Sequence, residues 1–340
     1  MEITTEPAAP MSPALPVSSV DVDRHERTYP HRAMSAPAAA AAAAGIALLA
    51  IAAGDTSVFP VLVTVAVWSP ATVGLGVLLG RAGLLSLGQA GLIAVGAYAG
   101  SLAVVDLGVP VIGLVPLAMV ASAAVALLTA PILRLTGLYF VLATLTITFL
   151  VGHLLVTYGS ITGGAMGLVD IPVIALGGEP LVTETQFLVL AGGCGLASAL
   201  VAGILLRGPW GRELDLVHHD ETNASALGVH VSRVKAQAWV LNGALAGMSG
   251  GLYALYNRYL APEQFGLHVS LMMLAAILLG GASSALGPFL GLLGVFVLPE
   301  LIGIGESSRT MLMAIILVVF AATLPDGLAS LRLSRRKRVA

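Results

Sequence analysis

Runs of about 18 or more apolar residues recur along this chain, and that pattern sets the solvent in which it folds. An α-helix rises about 1.5 Å per residue, so about 20 apolar residues cross the roughly 30 Å of a bilayer's hydrocarbon. The stretch "VLVTVAVWSPATVGLGVLLG", 61–80, carries no charged residue. A membrane β-barrel would alternate polar and apolar residues over segments of about 10, and these runs do not alternate. Charged residues make up 10% of the chain, against about 25% in soluble domains. The fold class is therefore all-α, a polytopic membrane helical bundle.

Ten spans are predicted, at 36–53, 58–79, 84–105, 110–133, 137–157, 186–206, 236–256, 268–282, 286–305 and 310–330. Two regions are interrupted by Gly, Ser or Pro, in "GLLSLGQAG" (83–91) and "GGASSALGP" (280–288). These predict one or two broken or re-entrant helices, which survive at membrane depth only where protein or a water-filled cavity covers the freed backbone. Pro288 removes a donor from the second of them. The 40 glycines include small-xxx-small pairs, Gly76/Gly80, Gly96/Gly100, Gly243/Gly247 and Gly287/Gly291, which predict close helix crossings. Residues 1–35, polar and rich in Pro, Ser and Ala, read as a disordered tail. The transmembrane domain follows at 36–331, and a basic tail closes the sequence at 332–340. Ala50-Ile51-Ala52 resembles a signal-peptidase site, but the tail before it is too long for an ordinary n-region.

With the N-terminus inside, ten spans place all of the 16 Lys and Arg residues except Arg258 and Arg309 on the inner side. That is a strong positive-inside bias and predicts two cytoplasmic termini. The outer loops carry Asp106, Asp170, Glu184 and Glu263 instead.

A long polar insert, "RGPWGRELDLVHHDETNASALGVHVSRVK" (207–235), falls on the same inner side as the termini. Asp220 is placed to cap a short helix, with Glu221 in its first turn and Gly228 just past its end. Ser232 is placed to cap the next membrane helix. Such a helix is either a solvated connector or a docking surface, and its residues alone leave both open.

Several chemistries are weighed and set aside. A phosphate-binding loop needs Gly-Lys-Ser/Thr, and the only lysines, Lys235 and Lys337, do not follow glycine. The single Cys194 excludes an internal disulfide and a cysteine metal cluster. Adjacent His218, His219, Asp220 and Glu221 point about 100° apart on a helix and converge poorly on a metal. Gly247-Met248-Ser249-Gly250 fits the pattern of intramembrane serine proteases, but no histidine is well placed as a base. Ion-coupled transport usually needs ionisable groups within spans, and His153 is the clear one here. Candidate polar residues for a pathway are Ser86, Gln89, Tyr98, Thr144, Thr146, Thr148 and His153, threonines more commonly bonding their own helix backbone.

The segment 211–254 resembles the cytoplasmic loop and following helix of the branched-chain amino acid permeases of bacterial ABC importers. Gly211, Arg212, Leu214, Asp220, Glu221, Ala224, Leu227, Gly228, Val231, Arg233 and Lys235 match that pattern. "GLLSLGQAGLIAVGAYAG", "LRLTGLYFVLATLTI" and "GLHVSLMMLAAILLGGASSALGPFLG" resemble further family motifs in the same order, from about residue 60 onward. The Gly-Pro of the last favours the M-type subunit. His218, His219, Gln89, Ala282 and Ser283 depart from the pattern and leave the substrate open.

The resemblance implies no enzyme and no cofactor in this chain, ATP being used by partner ATPase subunits. It implies an H-type permease partner, two cytoplasmic ATPases and an extracytoplasmic solute-binding protein. It also implies a place in the bacterial inner membrane and no nucleic-acid partner. The expected activity is import of branched-chain or other hydrophobic amino acids by alternating access, with a urea or short-chain amide permease as the alternative. The insert becomes the ATPase-coupling element, through Gly211, Arg212, Asp220, Glu221, Ala224, Leu227, Gly228 and Arg233.

Overall fold

The computed structural model describes residues 58–176, 179–180, 183–281 and 287–301. The two terminal tails, the apolar run at 36–53, the span at 310–330 and the centre of "GGASSALGP" lie outside the described residues. What is described is helical. The long helices are α1 (Val58–Ala82), α2 (Gln89–Val105), α3 (Leu114–Leu128), α4 (Leu138–Thr157) and α5 (Glu184–Arg207). After α6 (Pro209–His219) and α7 (Glu221–Ala226) come α8 (Val231–Asn257), α9 (Leu267–Gly280) and α10 (Gly287–Leu301). Extended pairing is confined to a two-residue antiparallel ladder, Ala175–Leu176 with Glu179–Pro180, and one bridge between Leu168 and Leu260.

Among the described residues five helical stretches are long and apolar enough to cross a membrane: Phe59–Ala82, Val111–Leu128, Leu138–Thr157, Glu184–Arg207 and Pro262–Gly280. Two shorter apolar helices, Gln89–Val105 and Gly287–Phe296, accompany them. The fold is thus an all-α membrane bundle. Helix α8 falls outside the five because Lys235, Gln237, Asn242 and several glycines dilute its apolar residues. It has no need of a greasy exterior, since it packs against α1, α2 and α3 and is buried along most of its length.

Burial separates the core helices from the outer ones. In α1 89% of the most apolar window is buried, against 22% in the α3 stretch. Val120, Leu128, Phe149, Val189 and Ile204 stand exposed on α3, α4 and α5, the outward apolar face that a hydrocarbon solvent calls for. The centre is drawn tight by glycine. A Cβ on Gly96 would lie 2.5 Å from the Cα of Gly247, and one on Gly243 would lie 2.5 Å from the Cβ of Ala126. Two of the small-residue pairs seen in the sequence therefore mark where α8 crosses α2 and α3.

Candidate functional site

Two polar constructions stand out in this apolar bundle. The first is buried. Helix α1 contains Pro70, which has no N–H, so the Ala66 carbonyl loses its helical partner. The Ser69 hydroxyl donates to that carbonyl at 2.8 Å. The next residue is held from outside the helix: the Ala71 N–H donates to Ser249 Oγ at 2.9 Å, and the Ala71 carbonyl accepts from Gln89 Nε2 at 2.9 Å. Gln89 Oε1 in turn accepts from Asn242 Nδ2 at 3.0 Å. Gln89, Asn242 and Ser249 are fully buried. The second amide oxygen of this chain of contacts, Asn242 Oδ1, has no partner among the described residues.

Gln89 also begins α2, so the expected span at 84–105 is helical only in its second part. Residues 83–88 are non-helical, from the left-handed Gly83 to Gly88. Ala71 lies roughly 15 Å back along α1 from Arg81 at about 1.5 Å per residue. The non-helical segment therefore runs from the end of α1 to that depth in the bundle, within the roughly 20 Å reach of six extended residues. Side chains from other helices take up its backbone groups. The Leu87 N–H donates to Thr144 Oγ1 at 3.1 Å, and Thr148 Oγ1 donates to the Leu87 carbonyl at 2.9 Å. The Gly88 N–H donates to Ser86 Oγ at 3.1 Å, and the Ala90 N–H to Ser270 Oγ at 2.9 Å. Gly91 completes the fit, because a Cβ there would lie 2.9 Å from the Thr148 Cα. The first of the two expected breaks is thus an extended segment, 83–88, leading into the α2 helix, with Ser86 and Gln89 wholly buried.

The structure brings five of the seven polar pathway candidates into this interior. Ser86, Gln89, Thr144 and Thr148 lie in or against the extended segment, and Tyr98 lies farther along α2, its hydroxyl donating to the Leu260 carbonyl at 3.0 Å. Thr146 and His153 are not brought there. Both are exposed on α4; Thr146 Oγ1 donates to its own Leu142 carbonyl, and the His153 ring meets Thr157 Oγ1 at 3.4 Å. Helical spacing explains the split, since Thr144, Thr148, Val151 and Leu155 form the buried face of α4. Ser249, weighed as a nucleophile, serves the α1 backbone instead.

The second construction is the insert. It holds two helices where one was expected. Helix α6 buries Gly211, Leu214 and Val217 on one face and exposes Arg212, His218 and His219. A Cβ on Gly211 would strike the Leu206 backbone, so this glycine permits the tight corner between α5 and α6. Helix α7 follows as the sequence suggests. Asp220 caps it, Oδ1 accepting from the Thr222 and Asn223 N–H groups at 2.8 and 3.1 Å. Gly228 lies past its end at φ +87°, a left-handed conformation suited to glycine. Ser232 does not cap α8; that helix begins at Val231 after His230, with no side-chain cap, and Ser232 sits in its first turn.

Two ion pairs fasten the insert. Arg81, in the last turn of α1, donates through Nη1 to both carboxylate oxygens of Asp215 at 3.0 Å. Lys235, only 5% exposed along its side chain, donates to Glu221. Of the residues expected to couple, Ala224 is buried beneath α7, while Arg212, Asp220, Glu221, Leu227, Gly228 and Arg233 are at the surface. Leu227 is 71% exposed, a bare apolar side chain just before Gly228. No group of three or more His, Cys, Asp and Glu side chains among the described residues could hold a metal ion. The contacts of Asp215, Asn242, Ser249 and Ser270 were not visible in local sequence.

Comparison with known proteins agrees with this architecture. A family described as "Branched-chain amino acid transport system / permease component" matches residues 57–324. The high-affinity branched-chain amino acid transport system permease protein LivM of Salmonella typhimurium is 31% identical over 279 residues, 75% of this chain. The protein of the same name from Escherichia coli is 30% identical over 279 residues, again 75% of this chain. The match spans 66% of the length of each of these two relatives, just under two thirds. The autoinducer 2 import system permease protein LsrC of an Enterobacter species is 34% identical over 124 residues, 35% of this chain and 33% of that protein. No solved structure matches significantly.

Proposed function

The chain belongs to the branched-chain amino acid transport system permease family, and we propose that it is the M-type membrane subunit of an ATP-driven bacterial importer of branched-chain or other hydrophobic amino acids. The observation that carries this reading is the family match over nearly all the described helices, joined to an insert that presents Arg212, Leu227 and Arg233 at the surface. The chain would move its substrate unchanged by alternating access. It would work with an H-type permease, two cytoplasmic ATPase subunits and an extracytoplasmic solute-binding protein. The insert at 207–235 would dock on an ATPase subunit. The positive-inside count supports ten spans through a domain at 36–331 in the bacterial inner membrane. It also supports tails at 1–35 and 332–340 on the cytoplasmic side.

The test is uptake into proteoliposomes that hold the complete importer with its binding protein. ATP-dependent accumulation of labelled leucine is the expected result. Accumulation of labelled urea in its place would move the assignment to amide import. Uptake driven by a proton or sodium gradient without ATP would refute the importer reading.

A further inference from the structure

One ion pair of the insert lies at the start of the extended segment 83–88, and another fastens the helix that holds the residue just past its end. Arg81 sits at the close of α1, two residues before Gly83, where that segment begins. Its partner Asp215 belongs to α6, and the His218 ring of α6 packs over Gly83 itself, with Cδ2 3.5 Å from where a Cβ would be. Lys235 sits at the start of α8, two helical turns before Asn242, and Asn242 holds Gln89, where the segment ends. Its partner Glu221 opens α7. Each helix of the insert thus grips a helix next to the segment, α6 gripping α1, which leads into it, and α7 gripping α8, which holds Gln89 just after it; α1 and α8 are joined to each other at Ala71 and Ser249.

We infer that Arg81 with Asp215, and Lys235 with Glu221, are positioning residues that transmit displacement of the insert to the extended segment 83–88. The inference rests on the import reading above. Both pairs suit the task. Arg81 Nη1 makes a charge-assisted contact with both oxygens of Asp215, which ties α6 to the last turn of α1. Lys235 is buried and Glu221 is the carboxylate it meets among the described residues, so separating them leaves a buried cation unpaired, which couples α7 to the start of α8. The segment between the two grips is the part of the bundle most ready to respond, because side chains rather than a continuous helical ladder satisfy its backbone.

The experiment uses the complete reconstituted importer with two readouts, ATP hydrolysed per substrate transported and hydrogen exchange of the amides at 84–90. Arg81→Glu should raise that exchange about tenfold and raise ATP consumed per substrate by a similar factor, with ATPase subunits still bound. The reversed pair, Arg81→Glu with Asp215→Arg, should bring both quantities most of the way back. Asp215→Asn, which keeps the side-chain shape, should show the same direction by about threefold and serves where the reversal does not assemble. Wild-type exchange and stoichiometry in Asp215→Asn and Arg81→Glu would overturn the inference. A reversed pair that assembles normally and is no better than the single variant would do so too. Should wild-type importer show no ATP-dependent uptake, the import reading fails. The exchange readout then decides the positioning role by itself.

Discussion

Replacing Gln89 by Met tests whether the buried amide chain holds the break in place. Methionine keeps an unbranched side chain of similar size, so packing changes little. The substitution removes the bond to the Ala71 carbonyl at 2.9 Å and the one from Asn242 Nδ2 at 3.0 Å. Asn242 Oδ1 already lacks a partner among the described residues, so the whole Asn242 amide would be left unpaired, while the Ala71 carbonyl stays in the α1 ladder. Two magnitudes compete. Orphaning a buried polar group typically costs about 1–3 kcal/mol. Hydrogen bonds between membrane helices average only about 0.6 kcal/mol, because the chain unfolded in lipid finds other partners. The lower figure describes side-chain pairs in continuous helices. Here the group left behind is a fully buried Asn242 amide with neither its donor nor its acceptor paired, so the expected loss is about 2 kcal/mol. Asn242→Leu alone should cost about 1 kcal/mol, and the double variant about as much as Gln89→Met alone. The assay is reversible unfolding of the purified chain in bicelles. Strict additivity, or a Gln89→Met variant within about 0.5 kcal/mol of wild type, would refute the account.

Gly228→Val should weaken transport-coupled ATP hydrolysis. Nothing lies within 4 Å of a Cβ there, so the penalty is backbone strain alone, about 1–3 kcal/mol, and Gly228→Asn should be far milder in the same assay. Ser249→Ala removes the acceptor for the Ala71 N–H and should destabilise the chain by about 1–2 kcal/mol in the same bicelle unfolding assay, while leaving no proteolytic activity to lose. Glu221→Arg sets a second cation against Lys235. With Glu221 about half exposed the cost is screened to about 1–2 kcal/mol, read as a lowered unfolding midpoint that Lys235→Glu in the same chain restores. Reporter fusions at Ala340 and near Glu263 should report opposite sides of the membrane, and the same side at both would contradict the ten-span arrangement.

How much of this was legible in the sequence follows from how far apart the interacting groups lie. The α7 cap and stop were readable because Asp220 and Gly228 act on backbone within a few residues of themselves. The break near residue 86 was readable because Gly and Ser interrupt an apolar run locally. Its satisfaction was not, since Ser270 and Ser249 reach their backbone partners across 180 and 178 residues of sequence, and Asn242 meets Gln89 across 153. Arg81 and Asp215 are 134 residues apart, and each looked like an ordinary charge at the edge of a span. Helix α6 escaped notice for a different reason. Its apolar stripe, Trp210, Leu214 and Val217, recurs at helical spacing, but it is confined to eleven residues among charged ones and follows α5 after a single residue, Gly208. The same physics that hides these contacts also makes them informative. A small or polar side chain facing lipid would gain nothing, so Ser249, Ser270 and Asn242 in apolar helices already imply a protein neighbour with backbone to satisfy. What the sequence lacks is the identity of that neighbour: it is the first turn of α2 for Ser270 and Asn242, and the α1 backbone beside Pro70 for Ser249.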